Sequence, residues 1–298
     1  MGCCCSRRYF EAEAGDAIKY RLIHGRRYHN LSNSMYFVAN DDEEAYRLSR
    51  YHDAIKDIWG GLFNSPVEEK LRQGTRVIDI GCGSGIWILD LAQQYPNSNF
   101  VGIDISPILP TEGLPPNAKF VQYNVLDGLP FEDSSFDLVH LKFMVGAITE
   151  TQWEEKVIPE MIRLARPDGW IESLECDLIT SNGSVTKRVA KAFHVFMTSK
   201  GLNPAIGKEI PRLFENTNAF SEIRKEHKVL NLGKKHGKSA EESLKFYIGG
   251  LKSSKGFLAN SMNVMPEHYD ALIETVTIEA EKYSTYFNQY RVCARKKI

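Results

Sequence analysis

The 298 residues suffice for one large α/β domain or two small ones, and 43% hydrophobic with 25% charged residues is a globular balance, neither disordered nor fibrous. A net charge of −1 excludes a global basic field that would draw in nucleic acid. No apolar run reaches transmembrane length, and no apolar signal-peptide core stands at the N-terminus.

The chain opens Met1-Gly2-Cys3-Cys4-Cys5-Ser6-Arg7-Arg8. This fits the N-myristoylation pattern Met-Gly-x-x-x-Ser, with three thiols beside it for palmitate and two arginines beyond. One myristoyl chain holds a membrane only marginally, so a second signal matters, and both kinds are present. The expectation is a flexible lipidated tail over residues 1–24, acylated at Gly2, Cys3, Cys4 and Cys5. It would hold the protein peripherally on a cytoplasmic membrane face. The alternatives are an unmodified tail, free in the cytoplasm or nucleus, and a metal-binding cysteine cluster. The other cysteines (Cys82, Cys176, Cys293) are scattered, which is neither a disulfide framework nor a zinc spacing and suits a reducing compartment. No metal is expected in the domain itself.

Residues 25–298 read as one domain. Asn40 is a plausible helix N-cap, followed by the acids Asp41, Asp42, Glu43 and Glu44. Ala45, Leu48, His52, Ile55 and Trp59 then recur at spacings of three and four, one apolar helical face ending at Gly60-Gly61. His52 on that face is by default a satisfied core histidine, though the helix could close over a ligand.

Val77-Ile78-Asp79-Ile80 reads as a buried parallel strand running into Gly81-Cys82-Gly83-Ser84-Gly85 and then a helix from Ile86. Glycines there tolerate positive φ and leave bare backbone for a ligand, and the helix start offers unpaired N–H groups. The spacing is not the dinucleotide Gly-x-Gly-x-x-Gly, because Ile86 takes the place of its third glycine. A second strand, Asn99 to Asp104, ends in an acid about 20 residues past the glycines, where a ribose-binding carboxylate is expected.

Seven strands are expected near 76–80, 99–104, 119–124, 136–141, 169–175, 225–230 and 288–295. The last alternates and should be antiparallel, at or near the sheet edge. Helices near 86–95 and 151–165 connect some of them. Helical stretches near 184–200, 239–251 and 266–283 should form a lid, within about 178–220 and 232–285, over the carboxyl ends of the strands.

Asp79-Ile-Gly-Cys-Gly-Ser-Gly85 and Val101-Gly-Ile-Asp-Ile-Ser106 resemble the first two motifs of the class I S-adenosylmethionine (SAM)-dependent methyltransferases. Gly128-Leu-Pro-Phe131 with Asp133-Ser-Ser-Phe-Asp137 resembles the lead into their fourth strand. Leu164-Ala-Arg-Pro-Asp-Gly-Trp170 resembles the turn before their fifth, with Asp168 in place of a glycine. Arg26-Arg-Tyr-His-Asn30 and Asn33-Ser-Met-Tyr-Phe-Val-Ala-Asn-Asp-Asp-Glu-Glu44 are similar to the fungal methyltransferase-domain proteins related to the velvet-partner regulator of secondary metabolism. The resemblance implies a seven-stranded doubly wound Rossmann-like sheet with its last strand antiparallel and a helical lid, and SAM as cofactor.

It also implies site roles. Gly81, Cys82 and Gly83 would lie under the methionine part of SAM, and Asp79 would meet its amino group or else cap the glycine turn. Asp104 would take the ribose hydroxyls, with Ile105 against adenine, and Asn124-Val125 would read the adenine edge. Trp87 is either core packing or a wall of the pocket. For a general base the sequence offers only weak candidates: His140 at the end of the fourth strand, Glu175 at the end of the fifth, and His194 in the lid, with Lys142, Glu172 and Asp177 nearby.

Absences narrow the acceptor. His140-Leu-Lys-Phe-Met144 is not the Asn/Asp-Pro-Pro-Tyr of amino-group nucleic-acid methyltransferases. There is no Pro-Cys nucleophile for cytosine and no acid cluster there for a catechol-type metal. No nucleic-acid partner is expected. The reading is SAM-dependent methyl transfer to an oxygen or nitrogen of an unidentified small-molecule, lipid or protein acceptor. The alternative is a SAM-binding regulatory scaffold acting through a protein partner with little turnover. The sulfonium is already activated, so alignment and exclusion of water can carry catalysis without a conspicuous catalytic residue.

Overall fold

The computed structural model describes residues 20–29 and 36–298. The acylation motif at Gly2 and Cys3 to Cys5 lies outside the described residues. Strands β1 (Tyr20–Ile23) and β2 (Arg26–His29) form an antiparallel hairpin. His24 and Gly25 connect them with φ of 50° and 76°, the two left-handed positions that match hairpin twist. The expected lead-in to residue 24 therefore ends earlier, because Tyr20 to Ile23 find ladder partners in Arg26 to His29.

Helix α1 (Asp42–Trp59) starts one residue later than expected. Asp41, not Asn40, is its N-cap, accepting from the Glu44 amide at 3.2 Å. Asn40 is buried instead, its side chain turned to Arg27 and His29. The helix ends on Gly60 at φ 71°. α2 (Glu68–Gln73) follows.

The sheet is then built in alternation from β3 (Arg76–Ile80), α3 (Ile86–Gln94), β4 (Asn99–Asp104), β5 (Ala118–Gln122) and β6 (Phe136–Lys142). The predicted helix over 151–165 is a relay: α4 (Glu150–Gln152), a π turn over Trp153–Val157 and α5 (Ile158–Leu164). After it come β7 (Ala165–Cys176), the two-residue β8 (Thr180–Ser181), α6 (Ser184–Ser199), α7 (Ile206–Asn216) and β9 (Phe220–Asn231). Three helices, α8 (Lys238–Ser253), α9 (Lys255–Ser261) and α10 (Pro266–Lys282), precede β10 (Thr285–Lys296).

Strand order is β5-β4-β3-β6-β7-β10, with β9 and β8 also paired to β10. β3 to β7 are mutually parallel, and β10 is antiparallel to both β7 and β9. The expected seven strands are present, and the last one lies near the edge. Helices cover both faces. On one, Trp153, Met161, Ile210 and Phe214 pack on Ile78, Ile80, Val139 and Ile171. On the other, Leu71, Trp87, Ile88 and Leu91 pack on Val77, Phe100, Leu138 and Trp170. This is a doubly wound sheet.

The lid prediction needs one correction. α7, inside the expected 178–220 span, belongs to the sheet: Ile206, Ile210, Leu213 and Phe214 are buried in the first of these cores. α6, α9 and α10 instead share a separate apolar core with Phe37. α8 joins α1, where Arg47 donates to the Phe246 carbonyl and lies over its ring at 4.2 Å. Among the described residues no helix is long and apolar enough to cross a membrane.

Candidate functional site

A cavity opens where the parallel strands end. The glycine turn after β3, the end of β4, the residues after β5 and the end of β6 form its floor; α1 and Phe246 of α8 form its roof. Of the sequence-predicted residues, His52, Gly81, Cys82, Gly83, Trp87, Asp104, Ile105, Asn124, Val125, His140 and Lys142 line it. Asp79, Glu175 and His194 do not.

The glycine turn is shaped by its neighbours. Gly81 holds φ 71°, and a Cβ there would fall 2.4 Å from Met144 Sδ. Gly83 holds φ 56°, with Leu48 of α1 3.1 Å from where a Cβ would stand. The Gly83 amide donates to Asp104 Oδ2 at 2.8 Å, and the Ser106 amide donates to Oδ1 at 2.7 Å. Asp104 thus bridges the glycine turn and its own following turn while facing the cavity. Burial raises its carboxyl above the ordinary value, opposed by these two amides. Asn124 spends its side-chain oxygen capping the turn after β5, by accepting from the Leu126 amide at 3.1 Å. Burial pushes the Cys82 thiol well up, so it contributes volume and not a thiolate.

Asp79 lies beneath the wall, fully buried. His140 stands opposite it in register, and Nδ1 pairs with Asp79 Oδ1 at 2.7 Å. Lys142 Nζ is 3.8 Å from Oδ2, which accepts no hydrogen bond. The contact orients the imidazole, with Nδ1 turned to the carboxylate and Nε2 on the other side of the ring. Trp87 stacks flat on the His140 ring at 3.9 Å and donates Nε1–H to the Leu62 carbonyl at 2.8 Å. Its two readings merge: it is core packing and pocket wall at once. His52 is paired with Asp90 at 2.9 Å, and burial holds its imidazole below the ordinary value.

The other candidates are elsewhere. Glu175 is buried with both carboxylate oxygens on the amides of Met144 and Val145, at 2.7 and 3.1 Å. It anchors the segment after β6 and offers nothing to the cavity. Burial pushes its carboxyl up to about 8, against the pull of those amides. His194 is exposed on α6. Glu172 accepts from the amides of Asn64 and Ser65 and from the Ser65 hydroxyl, holding the loop between α1 and α2. Asp177 accepts from Asn288.

The sequence allowed α1 to close over a ligand but pointed to neither Tyr51 nor Phe246 in the roof, nor to the far wall. Tyr51 and Phe246 stack at 3.9 Å between centroids, with Phe143 5.8–6.0 Å from both. Phe143 holds φ 56°, its amide bonded to the Leu174 carbonyl at 2.9 Å. Tyr36, Leu174 and Arg291 also line the cavity. A turn forced into the left-handed region at a bulky residue marks a built site.

The residues suit SAM. Two glycines leave backbone bare, a cavity-facing carboxylate sits at the end of β4, and the interior beyond is aromatic.

A methyltransferase-domain family model matches residues 77–169. The methyltransferase str3 of Strobilurus tenacellus is 32% identical over 193 residues, covering 63% of this chain and 67% of that protein. The secondary metabolism regulator LAE1 of Cochliobolus heterostrophus is 32% identical over 159 residues, covering 53% of this chain and 51% of that protein. The N-methyltransferase gliN of Aspergillus fumigatus is 24% identical over 267 residues, covering 84% and 92%.

Proposed function

The chain belongs to the SAM-dependent methyltransferases, and we propose that it methylates an oxygen or nitrogen of a small, partly aromatic or lipophilic acceptor. The observation that carries this is a cavity in which a bare glycine turn and Asp104 face an aromatic roof of Tyr51, Phe143 and Phe246. Bound SAM supplies a methyl group on a sulfonium that needs no further activation. The chain's own part is to hold and align. In this reading Gly81, Cys82 and Gly83 carry the methionine part, Asp104 the ribose, Ile105 the adenine face, and Asn124 with Val125 the adenine edge. Proximity and exclusion of water by α1 and Phe246 supply most of the acceleration. A proton leaving an acceptor O–H or N–H has Nε2 of His140 as its receiver, with Asp79 fixing the ring from below. The name of the gliN relative supports a nitrogen acceptor as one case.

The name of the LAE1 relative favours a second reading, a SAM-binding regulator working through a protein partner. Methyl-labelled SAM, incubated with the protein and with small-molecule, lipid and protein fractions, separates the two. Label in the small-molecule or lipid fraction is the expected result. Label in protein alone refutes the small acceptor. SAM binding without transfer favours the regulator. The motif at Gly2 and Cys3 to Cys5 further supports a peripheral membrane location.

A further inference from the structure

A buried guanidinium in the cavity wall has no hydrogen bond. Arg291 is 2% exposed, yet none of its N–H groups is bonded to a described residue. Its nearest charge is Glu172, 3.4 Å from Nε. Glu172, however, is already taken by the amides of Asn64 and Ser65 and the Ser65 hydroxyl. Its Cζ stands over the Trp59 ring, 4.4 Å from the centroid, and the residue lines the cavity. Buried polar groups in folded proteins are almost always paired, so a guanidinium in a cavity wall with an ion pair at Nε but no hydrogen bond calls for a ligand.

A second cation shares the position. Lys142 pairs with Leu174 across β6 and β7, and Leu174 pairs with Arg291 across β7 and β10. Directly opposed residues point to the same face of a sheet, so the three stand in one row. The outer two are separated by two strand spacings, about 10 Å between Cα atoms, within joint reach of long side chains. Lys142 also makes no hydrogen bond; its contacts are Asp79 at 3.8 Å and the Trp87 ring at 5.8 Å. All three residues line the cavity, and the Tyr51–Phe246 stack with Phe143 completes this part of it.

Lys142 and Arg291 are the two cations of this wall, set in one row, while the third carboxylate of the site, Asp104, is held by the amides of Gly83 and Ser106 at the end of β4.

Building on the methyltransferase reading, we propose that Lys142 and Arg291 bracket an anion-binding subsite over Leu174 that holds a carboxylate of the methyl acceptor. The acceptor class is then an organic acid with a planar or apolar body that packs under Tyr51, Phe143 and Phe246. The carboxylate is a handle that orients the molecule; a different oxygen or nitrogen receives the methyl group.

Titration calorimetry with protein saturated in S-adenosylhomocysteine tests this, using 3-phenylpropionate and its neutral isostere 3-phenylpropanamide as probes. The wild type should bind the acid at least about tenfold more tightly than the amide, as charge-assisted hydrogen bonds require. Arg291→Met should bring that ratio near one, and Arg291→Lys should restore part of it. Lys142→Met, which sacrifices no hydrogen bond, carries the same test if Arg291→Met does not fold. A wild type without preference, or folded variants that keep it, overturns the proposal. The other source of a carboxylate is the cofactor's own tail. If Arg291→Met weakens S-adenosylhomocysteine but not 5′-methylthioadenosine, which lacks that tail, the acceptor assignment falls. A wild type that binds no S-adenosylhomocysteine refutes the cofactor reading itself, and is seen before any acid is added.

Discussion

Asp104→Ala is the sharpest perturbation of the cofactor half of the site. The carboxylate accepts from the Gly83 and Ser106 amides at 2.8 and 2.7 Å, and burial raises its pKa. Each oxygen keeps capacity for one more donor, and two ribose hydroxyls would use it. Charge-assisted hydrogen bonds contribute about 1.5–3 kcal/mol each, so both together are worth about 3–6 kcal/mol before corrections. Removing a buried charge gives some of that back. We therefore expect S-adenosylhomocysteine to bind at least about tenfold more weakly, equivalent to about 1.4 kcal/mol or more. Asp104→Asn keeps one acceptor oxygen and should fall between. Titration calorimetry reads the affinities, and thermal melting confirms that each variant is folded. 5′-Methylthioadenosine shares the ribose and should lose as much as S-adenosylhomocysteine. Wild-type affinity in folded Asp104→Ala would refute the ribose assignment. A loss confined to S-adenosylhomocysteine would move Asp104 to the methionine end.

Three further outcomes are expected. Glu175 has a folded pKa of about 8 against an ordinary 4.5, so its stabilising effect is whole below 4.5 and lost as pH rises through 8. Denaturant titrations should show wild-type stability falling across that window by roughly 5 kcal/mol at most, and Glu175→Gln should flatten the slope; an unchanged slope contradicts the assignment. Gly83→Val should abolish S-adenosylhomocysteine binding and also lower the melting temperature, because φ 56° is strained for a β-branched residue and Leu48 stands 3.1 Å from its Cβ; normal binding would make Gly83 dispensable. Gly2→Ala should release the protein from membranes as completely as serine at Cys3, Cys4 and Cys5 combined with it, since one acyl chain gives only reversible attachment and the thiols depend on it; wholly soluble wild type without acyl mass on its first peptide would remove the membrane location.

What could be read from the sequence was local. The strand before Gly81 and the acid ending β4 carry their meaning in consecutive residues, and the alternation of β10 announced its direction. For Asp79, motif position could not show that His140 is its neighbour; the register across β3 and β6 sets that pair. Glu175 looked like a strand-end base, but its partners are amides some 30 residues away in sequence. The hairpin went unseen because His24-Gly25 is a weak turn signal, although histidine tolerates positive φ better than most residues. Phe246 lies nearly 200 residues from Tyr51, its stacking partner, with no spacing to link them. Arg291 did leave a trace: with Gln289 and Cys293 it occupies the buried face of β10, where an unexplained cation is a functional signal.

The central claim is that one cavity at the carboxyl ends of β3, β4 and β6 holds SAM. A crystal structure with S-adenosylhomocysteine tests it most directly. The account predicts ribose hydroxyls on Asp104, the aminoacyl tail along Gly81 to Gly83, and the adenine beside Ile105 and Val125. A ligand bound elsewhere, or turned so that the ribose leaves Asp104, would contradict it.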